Sequence, residues 1–141
     1  MRCKGKIALV TGCTNGIGKE TMYKLLEEGA DVYMLVRRVE YGEELAKETE
    51  GKYPGKVRKV IYFQCNKLET IESAIKTAYE DAGRIDIFIN NAIGGPTMAK
   101  DNTTVVDTSH ETCMGIMEGI LGVSAECCRV VIPLMIKGGG G

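Results

Sequence analysis

The stretch Ile7 to Leu26, "IALVTGCTNGIGKETMYKLL", constrains this chain most. Ile7 to Val10 is an apolar run too short for a helix, and Thr11-Gly12 stops it, so it reads as a buried strand. Beyond the loop, Ile17, Thr21, Met22, Leu25 and Leu26 recur at helical spacing, and Gly29 supplies the stop. Between strand and helix lie the glycines at 12, 16 and 18. Each has its own task there: Gly12 permits the tight turn, Gly16 lets backbone approach a pyrophosphate, and Gly18 lets helix and strand pack closely. The unpaired amides and dipole of the helix N-terminus then favour an anion. The competing reading, a helix-entry turn with no ligand, is disfavoured by the placement at the first strand-to-helix junction.

The alternation continues along the chain. Val32 to Val36 is a second apolar run ended by Arg37-Arg38, followed by a polar helical segment from about Glu40 to Thr49 and a break at Gly51, Pro54 and Gly55. Val57 to Phe63 reads as a third strand. Glu69 to Tyr79 reads as a helix with Ile71, Ala74, Ile75 and Ala78 on one face, closed by Gly83, and Ile85 to Ile89 as a fourth strand. Strands and helices in this order predict an α/β fold with a doubly wound parallel sheet. Gly94 to Ser109 is polar and irregular and suits a surface loop, and a long helix is expected from about Glu111 to Ile136 before the glycines at 138 to 141. With no internal boundary or repeat, residues 1–141 are expected to form one domain.

Charge and cysteine usage narrow the partners. A formal net charge of -1 provides neither the basic field that nucleic acid needs nor a polybasic membrane anchor. The cysteines, Cys3, Cys13, Cys65, Cys113, Cys127 and Cys128, form no C-x-x-C pair, and His110 is the sole histidine, so no metal site is expected. Buried free thiols in a reduced, cytoplasmic setting are the expectation. Met114 to Ile136 is apolar, but Glu118, Glu126 and Arg129 interrupt it and Pro133 sits near its end, which favours a packed helix over a bilayer span.

Taken together, "VTGCTNGIGKE", "DVYMLVRR" and "IDIFINNAIGG" strongly resemble the short-chain dehydrogenase/reductase family, whose signatures are T-G-x-x-x-G-[IL]-G and a fourth strand ending in N-N-A-G. The resemblance covers essentially all 141 residues in order. It implies a Rossmann-like sheet of about four strands in the order 3-2-1-4, and an NAD(P)-dependent oxidoreductase of the alcohol or carbonyl reductase type. It implies that Gly12, Thr14, Asn15, Gly16, Ile17 and Gly18 surround the adenosine-side phosphates and ribose, through backbone more than side chains. Asn91 and Ala92 would lie along the cofactor between its two halves, and Asn90 would help hold the central strands.

The end of the second strand separates the two dinucleotides, because an acidic residue there binds the ribose 2′-hydroxyl and repels a 2′-phosphate. Here the strand ends in Val36, Arg37 and Arg38. Arg37 resembles the family's NADP-selecting arginine, a planar and permanently charged fork for a phosphate, against the alternative of a solvated surface arginine; Arg38 reads as surface. NADP is therefore the expected cofactor, ahead of NAD. Gln64 and Cys65 stand where the family usually places an acidic and an aliphatic residue near the adenine, which leaves the adenine contact open.

Family chemistry uses a tyrosine with a lysine four positions on, and a serine from the preceding strand. Tyr23, Tyr33, Tyr41, Tyr53, Tyr62 and Tyr79 are followed four residues later by Glu27, Arg37, Leu45, Val57, Asn66 and Gly83, so no catalytic residue is assigned. "GVSAECCRVVIPLMIKGGGG" resembles the helix and glycine turn that precede the family's fifth strand, so the expectation is an N-terminal, cofactor-binding half of the family pattern. The alternatives kept are a dinucleotide-binding module without turnover and a truncated gene product. Two further departures stand out. Gly119 occupies the position of an asparagine that supports the family's proton relay, and Ile93 replaces the last glycine of N-N-A-G. If that position needed a positive φ, isoleucine would be strained by about 1 kcal/mol or more, unless Gly94 takes up the turn. Self-association through helix 111–136 or the fourth strand is also expected, since both are apolar on more than one face.

Overall fold

The computed structural model describes residues 1–94 and 104–140. Strands β1 (Ile7–Thr11), β2 (Asp31–Val36), β3 (Val57–Tyr62) and β4 (Ile87–Ile89) form one parallel sheet in the order β3-β2-β1-β4. The helices are α1 (Gly16–Glu27), α2 (Val39–Thr49), α3 (Leu68–Ala82), α4 (His110–Met117) and α5 (Val123–Lys137). Sheet order and element order match the sequence expectation.

The strands are apolar at successive positions because helices cover both faces of the sheet. Leu9, Tyr33 and Leu35 point to one side and pack with Ile71 and Ile75 of α3 and with Cys127 and Val131 of α5. Their neighbours Ala8, Val10, Val32 and Met34 point to the other side and pack with Met22 and Leu26 of α1 and Leu45 of α2. The cysteines at 13 and 127 are free and buried, and burial pushes both thiols up to about 12. Such thiols are inert packing groups at neutral pH.

Two expectations need correction. The long helix is not uniform: α4 and α5 are joined by a π-helical turn at Glu118–Gly122, whose wider winding leaves the Gly119 carbonyl to accept the Gly94 N–H at 2.8 Å. The fourth strand starts at Ile87 rather than Ile85, because the Asp86 carboxylate takes the Ile7 N–H at 2.9 Å that a strand partner would otherwise bind. Of the expected loop 94–109, residues 95–103 lie outside the described residues, Val105–Asp107 forms a short 3-10 turn, and Ser109 caps α4 by accepting the Thr112 N–H at 3.1 Å. The helical stretch His110–Lys137 is long and apolar enough to cross a bilayer by length and composition, yet Val123, Cys127, Val130 and Val131 are packed in the core. On its outer side Met114, Met117, Ile120, Leu121, Ile132 and Ile136 are exposed.

Asp86 is the buried charge that locks β4 to β1. Its side chain is 1% exposed and accepts hydrogen bonds from Ile7, Lys6 and Arg84. Burial alone would raise its pKa, but the Ile7 amide and the Arg84 and Lys6 cations outweigh it and hold the carboxyl below its ordinary value. A carboxyl depressed in the folded state contributes stability that is complete above the unfolded pKa and is lost as pH falls through the folded one. Asp86→Asn should therefore cost about 2 kcal/mol at neutral pH. Chemical denaturation at a series of pH values should show that gap closing on the acid side.

Candidate functional site

The carboxyl ends of β1, β2 and β4 open into a cleft of about 460 Å³. Its walls include Gly12, Thr14 and Asn15 of the first loop, Val36, Arg37 and Arg38 at the end of β2, Phe63 to Asn66 after β3, and Asn91 to Gly94 after β4. In an open parallel sheet this is the position at which ligands bind, because the chain leaves β1 and its neighbour in opposite directions.

The glycine loop has the geometry of an anion cradle. Gly12 and Gly16 adopt φ of 66° and 52°, which other residues take only with strain. No atom lies within 4 Å of the place a Cβ on Gly16 would occupy, so that face of the loop is open to a ligand. Gly18 is the opposite case: a Cβ there would lie 2.5 Å from the Gly12 carbonyl oxygen and 2.6 Å from Asn91 Nδ2. Helix α1 begins at Gly16 with no side-chain cap and no acidic residue in its first turn, which leaves its first amides for an external acceptor.

Thr11 is the residue that sequence reasoning did not assign. Its hydroxyl is fully buried, donates to the Ile89 carbonyl at 3.2 Å, and accepts the N–H groups of Asn91 at 3.0 Å and Ala92 at 2.9 Å. The Asn91 side chain adds bonds to the carbonyls of Thr11 at 3.0 Å and Gly12 at 3.2 Å. The two motifs quoted from the sequence are thus one hydrogen-bonded junction. A threonine opening the glycine signature was the available signal; its partners, some 80 residues away, were not visible.

Of the residues assigned from sequence, Gly12, Thr14, Asn15, Arg37, Cys65, Asn91 and Ala92 line the cleft. Gly16 and Ile17 stand outside its wall on the first turn of α1, with Ile17 exposed, and Gly18 is buried under the loop. Asn90 bonds to a helix rather than to a strand: its Nδ2 donates to the Ser124 carbonyl of α5 at 3.0 Å, and its buried Oδ1 has no partner among the described residues. The condition for strain at position 93 is not met, since no described non-glycine residue has a positive φ. Gly94 does not take up a left-handed turn either. A Cβ at 94 would lie 2.6 Å from that of Cys65, so glycine is needed there for close approach.

The cleft is positively charged at one rim. Arg2, Arg58, Arg84 and Arg129 each pair with a carboxylate, whereas Arg37 and Arg38 pair with none among the described residues. Burial raises the Cys65 thiol, and a backbone hydrogen bond at Cys65 and the charge of Arg37, which lines the same cleft, pull it partly back.

The model of the short chain dehydrogenase family matches residues 6–141. The chain belongs to that family. Among curated relatives, it is 36% identical over 142 residues to a 7alpha-hydroxysteroid dehydrogenase of Clostridium sardiniense, covering 99% of this chain and 52% of the relative. It is 31% identical to an NADP-dependent 3-hydroxy acid dehydrogenase of Schizosaccharomyces pombe, covering 94% and 50%. Among solved structures it is similar to L-sorbose reductase of Gluconobacter frateurii complexed with NADPH and L-sorbose, with a TM-score of 0.84 at 25% identity, covering 100% of this chain and 52% of that one. The chain spans about half the length of the curated relatives it matches.

The Thr11 junction can be tested apart from any ligand. Thr11→Val keeps the shape but leaves the Asn91 and Ala92 amides without their acceptor, and should cost about 1–3 kcal/mol in urea unfolding. Thr11→Ser should recover most of that loss.

Proposed function

We propose that these residues form the cofactor-holding part of an NADP(H)-dependent alcohol or carbonyl oxidoreductase. The observation that carries the reading is Arg37, an arginine at the end of β2 that lines the cleft and has no carboxylate partner among the described residues. An acid at that place would suit a ribose 2′-hydroxyl; a guanidinium suits a 2′-phosphate. The names of the sorbose reductase complex and the 3-hydroxy acid dehydrogenase support NADP as the dinucleotide.

In this reading the first amides of α1 and the open face of Gly16 hold the pyrophosphate, Arg37 takes the 2′-phosphate, and Cys65 borders the adenine. Asn91 and Ala92 follow the cofactor toward its reactive end while the Thr11 hydroxyl keeps them in place. The bound dinucleotide would supply or accept the hydride. No tyrosine among the 141 residues is followed four positions later by lysine, so these residues bind and orient the cofactor and do not themselves supply the family's proton-transfer pair. A second reading, a dinucleotide-binding module without turnover, draws support from Gly119, whose carbonyl is taken by the Gly94 amide and which has no side chain to offer a relay. Exposed Met114, Met117, Ile120 and Leu121 support self-association through α4 and the π-helical turn.

Calorimetric titration tests the cofactor. NADPH should bind more tightly than NADH, and Arg37→Ala should weaken NADPH about tenfold or more while leaving NADH nearly unchanged. No binding at millimolar cofactor, or tighter NADH, contradicts the reading. Steady hydride transfer by this chain alone would contradict the claim that its own residues lack the proton-transfer pair.

A further inference from the structure

Building on the NADP reading, we infer that Tyr41 is a positioning residue for cofactor selectivity: it holds Arg38 at the rim of the cleft as a second cation for the 2′-phosphate. Arg38 looked like a surface residue from sequence. In the structure it lines the cleft beside Arg37, and its guanidinium carbon lies 5.1 Å from the centroid of the Tyr41 ring.

The geometry follows from the start of α2. Arg38 is the N-cap residue, with an extended backbone at φ -104°, and Tyr41 is three residues on, in the first turn and on the same face. Neither side chain is buried, so the core does not fix them. What orders Arg38 is the stack itself. A guanidinium held over a ring by a cation–π contact still has N–H donors directed away from the ring, and these are available to phosphate oxygens. An arginine held this way loses less rotamer freedom when it meets the phosphate than one left in solvent. Arg38 makes no carboxylate pair among the described residues, although Glu40 lies in the same turn, so its donors are not already committed. The uncapped N-terminus of α2 adds to the same positive field.

The test is a set of calorimetric titrations of the full 141-residue chain with NADPH and with NADH. Tyr41→Leu should weaken NADPH about threefold and leave NADH unchanged, while Tyr41→Phe, which keeps the ring face, should behave as the parent chain. Arg38→Ala should weaken NADPH about tenfold, and adding Tyr41→Leu to it should have no further effect, because the ring acts only through Arg38. NADH affinity reports in every variant that the cleft is intact. The inference is overturned if Tyr41→Leu leaves NADPH unchanged, weakens both cofactors alike, or has its full effect without Arg38. Those outcomes leave the cofactor reading standing when the parent chain prefers NADPH and Arg37→Ala abolishes the preference. A parent chain with no preference for NADPH overturns both.

Discussion

The buried hydroxyl of Thr11 is the contact on which the cleft depends. Parallel strands leave their last backbone groups unpaired, and an unpaired amide buried away from water costs roughly as much as a lost hydrogen bond. Here one side chain at the end of β1 takes the Asn91 and Ala92 amides just beyond β4 and gives its proton to the last carbonyl of that strand. Asn91 completes the closure by bonding back to the carbonyls of Thr11 and Gly12. The loop after β1 and the segment after β4 are thus held as one rigid lip, and the opposite rim is left to Arg37 and Arg38.

That rigidity explains the division of labour among the glycines. Gly18 has no room for a side chain because the junction closes directly over it, whereas Gly16, two residues earlier, faces open space. In the proposed reading, an anion at Gly16 would meet amides already aligned at the start of α1, which would leave little ordering to be done on binding. At the other end of the same strand, Asp86 plays the corresponding part for the floor of the sheet, joining β4 to β1 through the Ile7 amide. One short strand, paired at three positions, is secured by a side-chain anchor beyond each end.

Most of the architecture could be read from the chain because it rests on local pattern. Doubly apolar runs of about five residues, helical repeats on one face and glycines at the breaks name their elements without help from the rest of the fold. The features that could not be read depend on partners far along the sequence. Thr11 looked like the end of a strand, and its acceptors and donors are some 80 residues away. The late start of β4 depends on a carboxylate displacing a backbone pair, and the π-helical turn depends on a carbonyl that Gly94 claims from outside the helix. Ile93 was judged by the backbone conformation of a glycine it does not adopt, while the Arg38–Tyr41 stack follows a spacing of three that was present in the sequence.

The central claim is that the junction of the two motifs presents a preformed dinucleotide site at the carboxyl end of the sheet. Backbone amide chemical shifts followed by NMR during titration with NADP⁺ test it most directly. The claim predicts that the largest changes fall on Gly12 to Gly18, on Arg37 and on Asn91 and Ala92, with the buried face of α3 unaffected. Changes confined to the exposed side of α4 and α5, or none at millimolar cofactor, would contradict it.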